Sequence, residues 1–129
     1  MQRRTLLLSG AGLLAAPALR AQGVWPNRAV RVIVPFTPGG ATDGMARVTA
    51  GKLQEKLGQP FVVENRPGAN GAVGGQFVAG SAPDGYTLCF SASIQTLGRL
   101  VMRNPGYDPI TDLTPVARVG QGPLLMVMN

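Results

Sequence analysis

Residues 32–43, with the sequence VIVPFTPGGATD, decide the fold of this chain. The β-branched run at residues 32–34 predicts a strand over residues 28–36 that is covered on both faces, as in a parallel sheet. The prolines and glycines that follow predict a tight turn. A helix comes next, with Thr42 or Asp43 as the residue whose side-chain oxygen caps its first free amides. The stretch therefore predicts a strand, a glycine turn and a helix, which together begin a β-α-β unit.

The predicted first helix has one apolar face and a glycine at its end. At 3.6 residues per turn, its apolar side chains cover an arc of about 140°, which is broad enough to dock on a sheet. The residues on this face are Met45, Ala46, Thr49, Ala50, Leu53 and Leu57. Gly58 is expected to end the helix, because glycine readily adopts the left-handed conformation that a helix C-terminus requires.

The same pattern continues along the chain. Residues 61–63 predict a second strand, residues 65–71 a second glycine-rich loop, and residues 72–79 a weaker helix. After a turn at residues 83–85, residues 86–90 predict a third strand. Strands that alternate with helices indicate a parallel sheet with right-handed crossovers, so the predicted fold class is α/β.

The pattern is weaker after residue 90. Residues 93–102 predict a helix, and residues 116–119 and 124–128 are short apolar runs. The second run ends one residue before the end of the sequence. We therefore expect the chain to be incomplete.

The first 21 residues predict an export signal. Arg3 and Arg4 precede an apolar stretch at residues 6–19, and Ala21 is a small residue at the expected cleavage site. The stretch is shorter and more interrupted than the roughly 20 apolar residues of a membrane-spanning helix. We interpret it as a cleaved leader that directs the chain to the periplasm, with the Sec and Tat routes both open. A retained lipid-facing anchor is the alternative.

Composition argues against several classes of function. The net charge is +6, and it falls to +3 without Arg3, Arg4 and Arg20 of the leader. The remaining basic residues are scattered and do not interleave with aromatic residues, so nucleic acid is not an expected partner. The chain contains no histidine, which argues against the usual zinc sites and against Ser-His or Cys-His catalysis; we expect no metal and no cofactor. Cys89 is the only cysteine, and we interpret it as a small buried hydrophobe.

The turn at Gly39 and Gly40 is the candidate ligand site. In an open α/β sheet, ligands lie beyond the carboxyl ends of the strands. A helix N-terminus there presents unpaired N–H groups and a partial positive charge, and adjacent glycines let a carboxylate or phosphate approach the main chain. The alternative is a tight turn whose glycines serve only the backbone angles. Asp43 would repel a bare anion, so it either accepts a hydrogen bond from a ligand donor or acts only as a helix cap.

The known phosphate-binding patterns fit this chain poorly. Gly51 and Lys52 are followed by Leu53 rather than by Ser or Thr, and the first loop lacks the G-x-G-x-x-G pattern. The acidic residues are spread through the chain rather than paired. A nucleotide- or phosphate-binding α/β enzyme fragment is therefore the alternative function, and a purely structural fragment is a third.

Four stretches, in this order, resemble one family: the extracytoplasmic solute receptors of tripartite tricarboxylate transporters, or Bug-type proteins. They are WPNRAVRVIVPFTPGGATD (25–43), LGQPFVVENRPGANGAVG (57–74), APDGYTL (82–88) and YDPITDLTPVARV (107–119). The resemblance implies a type II periplasmic-binding-protein-like fold, in which two α/β lobes close over a small carboxylate. Di- and tricarboxylates and acidic amino acids are the implied ligands. The implied role is delivery of solute to membrane permease subunits, without catalysis, by a receptor that is a monomer at full length.

The resemblance also implies where the ligand lies. One jaw is the loop before the first helix and another is the loop after the third strand, with backbone amides and ordered waters holding the carboxylate. The implied ligand-binding residues are Thr37, Gly39, Gly40, Ala41, Thr42, Asp43, Gly71, Ser91, Ala92 and Ser93. Two lobes need more chain than the 108 residues left after the leader. We therefore expect residues 22–123 to form a partial first lobe and residues 124–129 to begin a strand toward the hinge, with the second lobe missing.

Overall fold

A computed structural model of the protein describes residues 23–102 and 104–122. The predicted leader and the apolar run at residues 124–128 lie outside the described residues. In the described part of the chain, no helix has both the length and the apolar character needed to cross a membrane.

Three parallel strands form one sheet. Their order across the sheet is β2-β1-β3, where β1 is Val30–Val34, β2 is Phe61–Asn65 and β3 is Thr87–Cys89. In the register, Val32 of the central strand pairs with Val63 on one side and with Leu88 on the other. The three predicted strands and their parallel arrangement are confirmed, and β1 and β3 are shorter than predicted at both ends.

The first helix, α1, is Ala41–Leu57, and Gly58 ends it as predicted, with a φ of 72°. The prediction that Thr42 or Asp43 caps its N-terminus is wrong. Gly40 occupies the capping position in an extended conformation, so Thr42 and Asp43 already lie within the first helical turn. From that turn Asp43 directs its side chain back toward the preceding loop, where it accepts a hydrogen bond from the Gly39 amide.

Of the two later helices predicted from the sequence, the first is confirmed and the second is not. Helix α2 is Ala72–Ala79, as predicted, and a 3₁₀ turn at Ala69–Gly71 precedes it. The continuous helix predicted over residues 93–102 is wrong, because a 3₁₀ turn at Ser93–Gln95 is separated from α3, Gly98–Val101. Between them, the Thr96 hydroxyl donates to the carbonyl of Ser93 at 2.7 Å, a local bond that competes with regular helical pairing.

The core lies on the two faces of β1. Val30 and Val32 pack with Ala50 of α1 and with Phe61 of β2. Helix α2 covers the opposite face and contacts β1 and β3. The two covered faces agree with the predicted parallel sheet, and each fully buried Val or Ile side chain contributes roughly 1.5–3 kcal/mol to folding.

The apolar face predicted for α1 is partly wrong. Ala46 and Ala50 are buried, whereas Met45 and Leu57 are 43% and 39% exposed. The contact with the sheet is therefore made through small side chains. Because alanine lets the helix approach closely, the larger residues at the margins of the predicted arc stay at the surface.

Candidate functional site

The carboxyl ends of the three strands lie together at one edge of the sheet. The carbonyl of Val34 accepts a hydrogen bond from the amide of Arg66 at 2.8 Å, and the carbonyl of Ile33 accepts one from the amide of Phe90 at 2.8 Å. The loop after β1, the loop after β2 and the loop after β3 therefore leave the sheet side by side. This edge is where ligands bind in open α/β sheets, and it carries all of the predicted site residues.

The loop after β1 is open to solvent at its glycines. Thr37, Gly39, Gly40 and Ala41 are exposed. A Cβ atom added at Gly39 would meet no other atom within 4 Å, and one added at Gly40 would meet only the carbonyl oxygen of Thr37, at 3.9 Å. The main chain at these two residues can therefore be approached from outside.

Asp43 holds this loop from within. Its side chain is buried, and its carboxylate accepts hydrogen bonds from the Gly39 amide at 2.9 Å, from Asn65 Nδ2 at 2.9 Å and from Arg47 Nε at 3.0 Å. Asn65 Nδ2 also donates to the carbonyl of Phe36 at 3.1 Å. These bonds hold the pKa of Asp43 well below its usual range, and the bond from Arg47 has the largest effect.

The Asp43 network and the start of α1 decide which amides of this loop have hydrogen-bond partners. The Gly39 N–H is bonded to Asp43, and the first helical hydrogen bond runs from the Gly44 amide to the Gly40 carbonyl at 3.0 Å. The amides of Ala41 and Thr42 come before that bond, at the position where a helix has N–H groups without helical partners, and no side chain caps them. Asp43 therefore shapes the loop, while the amides of Ala41 and Thr42 lie at its end without a side-chain cap.

Residues 67–70 of the loop after β2 are exposed, but its end and the start of α2 are packed against the first loop. Gly71 is buried with a φ of 92°, and a Cβ added there would lie 2.6 Å from Gln95 Oε1 and 3.4 Å from Pro35 Cβ. At Gly74 an added Cβ would lie 2.7 Å from Pro35 Cβ. Of the predicted site residues, Gly71 thus lies behind the first loop, where it supports Pro35.

The loop after β3 supplies the remaining predicted residues. Ser91 is half-buried, and Ala92 and Ser93 are exposed. The Ser91 hydroxyl donates to Gln95 Oε1 at 3.0 Å, and Gln95 Nε2 donates to the carbonyl of Gly71 at 3.1 Å. The structure therefore brings Ser91 and Gly71 together through Gln95, a residue that the sequence interpretation missed. The available signal was an amide side chain two residues after Ser93, within the predicted helix.

The chemistry available at this edge is hydrogen bonding. Backbone amides and the hydroxyls of Thr37, Thr42 and Ser93 are donors suited to a carboxylate, whereas the Ser91 hydroxyl already donates to Gln95. In the part of the chain that the structure describes, no group of three His, Cys, Asp or Glu side chains could hold a metal ion. Burial raises the pKa of the Cys89 thiol to about 11, so this cysteine is protonated at neutral pH.

Two shallow depressions lie away from these loops. An apolar one of about 300 Å³ runs along α1, and a more polar one of about 330 Å³ lies near the chain segment after α3. The first is lined by Gly44, Met45, Val48, Thr49 and Val119. Neither includes any of the predicted site residues, so the candidate site is an open edge rather than a closed cavity.

Comparison with known proteins identifies the family. Residues 45–129 match the tripartite tricarboxylate transporter family receptor. The chain is 47% identical over 131 residues to protein BugT of Bordetella pertussis, an alignment that covers 97% of this chain and 40% of BugT. The chain thus spans about 40% of the length of this curated relative.

Solved structures share the fold. The periplasmic binding protein BugD superposes with a TM-score of 0.65 and 40% identity, covering 68% of this chain and 29% of BugD. The R. palustris protein Rpa4515 with adipate superposes with a TM-score of 0.64 and 46% identity, covering 67% of this chain and 29% of that protein. MatC from Rhodopseudomonas palustris with bound malate superposes with a TM-score of 0.64 and 38% identity, covering 70% of this chain and 31% of MatC. The predicted α/β, periplasmic-binding-protein-like fold and the resemblance to Bug-type receptors are confirmed, and the chain belongs to the tripartite tricarboxylate transporter receptor family.

Proposed function

We propose that this chain forms the ligand-facing edge of one lobe of a periplasmic receptor that binds a small carboxylate and delivers it to the permease subunits of a tripartite tricarboxylate transporter. The observation that carries the proposal is the uncapped start of α1, where exposed glycines leave the backbone open to approach. A helix N-terminus of this kind favours an anion through its free amides and its dipole.

Asp43 does not oppose an anion at this position. Its charge is balanced by Arg47, whose Nε lies 3.0 Å from Asp43 Oδ2, and its oxygens also accept from Gly39 and Asn65. Because the adjacent guanidinium of Arg47 neutralises the carboxylate, the net field of the pair toward the outer face of the loop is weaker than that of an isolated charge. The interpretation of Asp43 as an internal brace is therefore preferred over direct contact with a ligand donor.

The proposed ligand contacts follow from these positions. The exposed or half-buried residues that would contact the carboxylate are Thr37, Gly40, Ala41, Thr42, Ser91, Ala92 and Ser93. Gly39, Asp43 and Gly71 would act by holding the loops in place. A site built from amides, hydroxyls and bridging waters can hold a carboxylate without a dedicated arginine.

A dicarboxylate is the ligand class that we propose. Two of the similar structures contain adipate and malate, and each of these molecules has two carboxylate groups. One carboxylate would bind at the start of α1, and the other would be held across the cleft. We also propose that residues 1–21 direct export and are removed, and that residues 22–123 form part of the first lobe of a two-lobed receptor that is a monomer and has no catalytic role.

Amide chemical shifts of the labelled chain, beginning at residue 22, test the proposal. Titration with millimolar malate or adipate should move the amide signals of residues 40–42 and 91–93, while adiponitrile, a neutral analogue of adipate, should move none. Weak, millimolar affinity is expected, because enclosure between two lobes supplies much of the binding energy in such sites. Shifts with ATP or NAD and none with dicarboxylates would favour the nucleotide-binding alternative and contradict the proposal.

A further inference from the structure

Asp43 and Gln95 are the two buried polar or charged side chains among the described residues, with exposures of 4% and 5%. Asp43 braces the loop after β1. Gln95 lies in the 3₁₀ turn Ser93–Gln95, just after β3, and has no part in the sheet or in the main helices. A buried amide costs free energy unless it is fully hydrogen-bonded, so its position calls for an explanation.

The hydrogen bonds of Gln95 reach three separate segments. Nε2 donates to the Gly71 carbonyl in the loop after β2 and to the Tyr107 hydroxyl, while Oε1 accepts from the Ser91 hydroxyl in the loop after β3. The amide orientation is determined, because a backbone carbonyl can only accept and therefore requires the NH₂ group. Both amide protons and one oxygen lone pair are thus used in fixed directions.

The surrounding main chain is shaped to admit this side chain. A Cβ at Gly71 would lie 2.6 Å from Gln95 Oε1, and a Cβ at Gly75 would overlap Gln95 Nε2 and the Tyr107 hydroxyl. Tyr107 begins the fourth of the sequence stretches noted above, YDPITDLTPVARV. Glycines in one segment and a tyrosine in another therefore enclose a single amide.

We propose that Gln95 is a positioning residue that fixes the separation between the loop after β2 and the loop after β3, and hence the shape of the ligand edge. The inference rests on the proposed function of that edge. A single amide group supplies a donor to one loop and accepts from the other, so movement of either loop breaks a bond to the same buried side chain. No residue of only apolar or only acidic character could make both bonds.

Two substitutions separate positioning from simple packing. Gln95→Met keeps the length of the side chain and removes both polar groups. Gln95→Glu keeps an acceptor for Ser91 and places negative charge against the Gly71 carbonyl. The matched control is Gln54→Glu, on the exposed surface of α1.

Amide hydrogen exchange of the ligand-free chain is the first measurement. For the loop after β2 the reporters are the amides of Gly71 and Ala72, and for the loop after β3 they are those of Phe90 and Thr96; all four are hydrogen-bonded. Gln95→Met should speed exchange about tenfold in both loops. Gln95→Glu should speed exchange only at Gly71 and Ala72, because the acceptor for Ser91 is kept. Gln54→Glu should leave exchange unchanged in both loops. Equal profiles for Met and Glu would overturn the proposal, because packing alone would not distinguish them.

A milder variant covers the case in which Gln95→Met fails to fold. Tyr107→Phe removes one acceptor of Nε2 and should speed exchange at Gly71 and Ala72 by a smaller factor, roughly twofold to fivefold. An unchanged rate at both amides in this variant would count against the proposed role of Gln95.

Malate titration then separates the two proposals. If the wild-type chain does not respond to malate, the proposed function fails, while the exchange experiment still tests the link between the loops. If the wild-type chain binds malate and Gln95→Met loosens both loops, the apparent affinity should fall about tenfold. An unchanged affinity in that case would show that the link does not shape the ligand edge.

Discussion

The loops after β1 and β2 both contain clustered glycines, yet the structure uses those glycines in opposite ways. At Gly39 and Gly40 an added Cβ would meet little or nothing within 4 Å. At Gly71, which ends the loop after β2, it would lie 2.6 Å from Gln95 Oε1 and 3.4 Å from Pro35 Cβ, and at Gly74, in the first turn of α2, it would lie 2.7 Å from Pro35 Cβ. Gly39 and Gly40 lie where the main chain is open to the outside, whereas Gly71 and Gly74 lie where the main chain is packed against Pro35.

This difference shows that the two loops act as a pair. Pro35 lies at the start of the first loop, and Gly71 at the end of the second loop together with Gly74 in α2 leaves room for that proline to be buried. Close packing around Pro35 therefore holds the first loop in place, while its main chain at Gly39 and Gly40 stays accessible. A glycine-rich loop in a sequence can indicate either role, and substitutions at the individual glycines distinguish them.

Gly74→Ala should have the largest effect. The added methyl group would press on Pro35 Cα and on the carbonyl oxygen of Arg66, at 2.9 and 3.1 Å, and neither backbone atom can move without distorting the sheet edge. Overpacking of this kind costs roughly 1–3 kcal/mol, and we expect a decrease in the free energy of unfolding near the upper end of that range. Urea unfolding followed by circular dichroism measures it, and stability equal to wild type would mean that the start of α2 is not tightly packed against Pro35 and Arg66.

Asp43→Asn should have the second largest effect, since it removes the charge that Arg47, Gly39 and Asn65 contact. The pKa of Asp43 is lowered in the folded state, so its stabilising contribution is present above the unfolded pKa of about 3.9 and is lost as the pH falls toward the folded pKa. We expect a lower melting temperature at pH 7, and a smaller loss of stability than in wild type when the pH is lowered from 5 to 3.

Glu55→Gln is the control for Asp43→Asn, because Glu55 forms only an exposed pair with Lys52 and such pairs contribute little. Thermal unfolding of the three proteins as a function of pH makes the comparison. If Asp43→Asn lost as much stability as wild type between pH 5 and pH 3, the proposed role of the Asp43 carboxylate in holding the loop would be contradicted.

Gly39→Ala and Gly40→Ala test the open loop and should have smaller effects on stability. Gly39 has a φ of 87°, a conformation that costs an L-residue roughly 1–2 kcal/mol, whereas Gly40 has a φ of −76° that alanine adopts freely. Gly40→Ala should therefore leave stability within about 0.5 kcal/mol of wild type but weaken the response of the amide signals to malate. An undiminished response would show that the ligand does not approach at Gly40.

Gly51→Ala should have the smallest effect, and in the opposite direction. Gly51 lies in the interior of α1, is exposed, and has no atom within 4 Å of an added Cβ. Alanine there should raise the free energy of unfolding by roughly 0.5–1 kcal/mol through helix propensity. Because the substitution is the same as at Gly74, urea unfolding of the two variants compares an open with a packed position, and a loss of stability here would weaken that comparison.

Much of the fold could be predicted because its signals are local. The β-branched run of β1, the exact limits of α2 and the glycine after α1 depend on residues that are adjacent or one helical turn apart. The helix predicted over residues 93–102 failed because side-chain bonds such as that of Thr96 compete with the helix, and the apolar pattern does not register them. The capping residue of α1 was missed because the sequence pattern favours a polar side chain as the cap, whereas Gly40 occupies that position in an extended conformation without any side-chain bond.

The sequence by itself determined the order of strands and helices, the position of the glycine loops at the edge of the sheet, and the four stretches that indicate the family. Only the tertiary structure decided that Asp43 faces inward, that Gly71 supports Pro35, and that Gln95 links two loops. The physical reason is distance along the chain: Asn65 meets Asp43 across 22 positions and Gln95 meets Gly71 across 24. Hydrogen bonds between such distant residues leave no periodic trace in a sequence, and they form only when the parallel strands bring their ends to one edge.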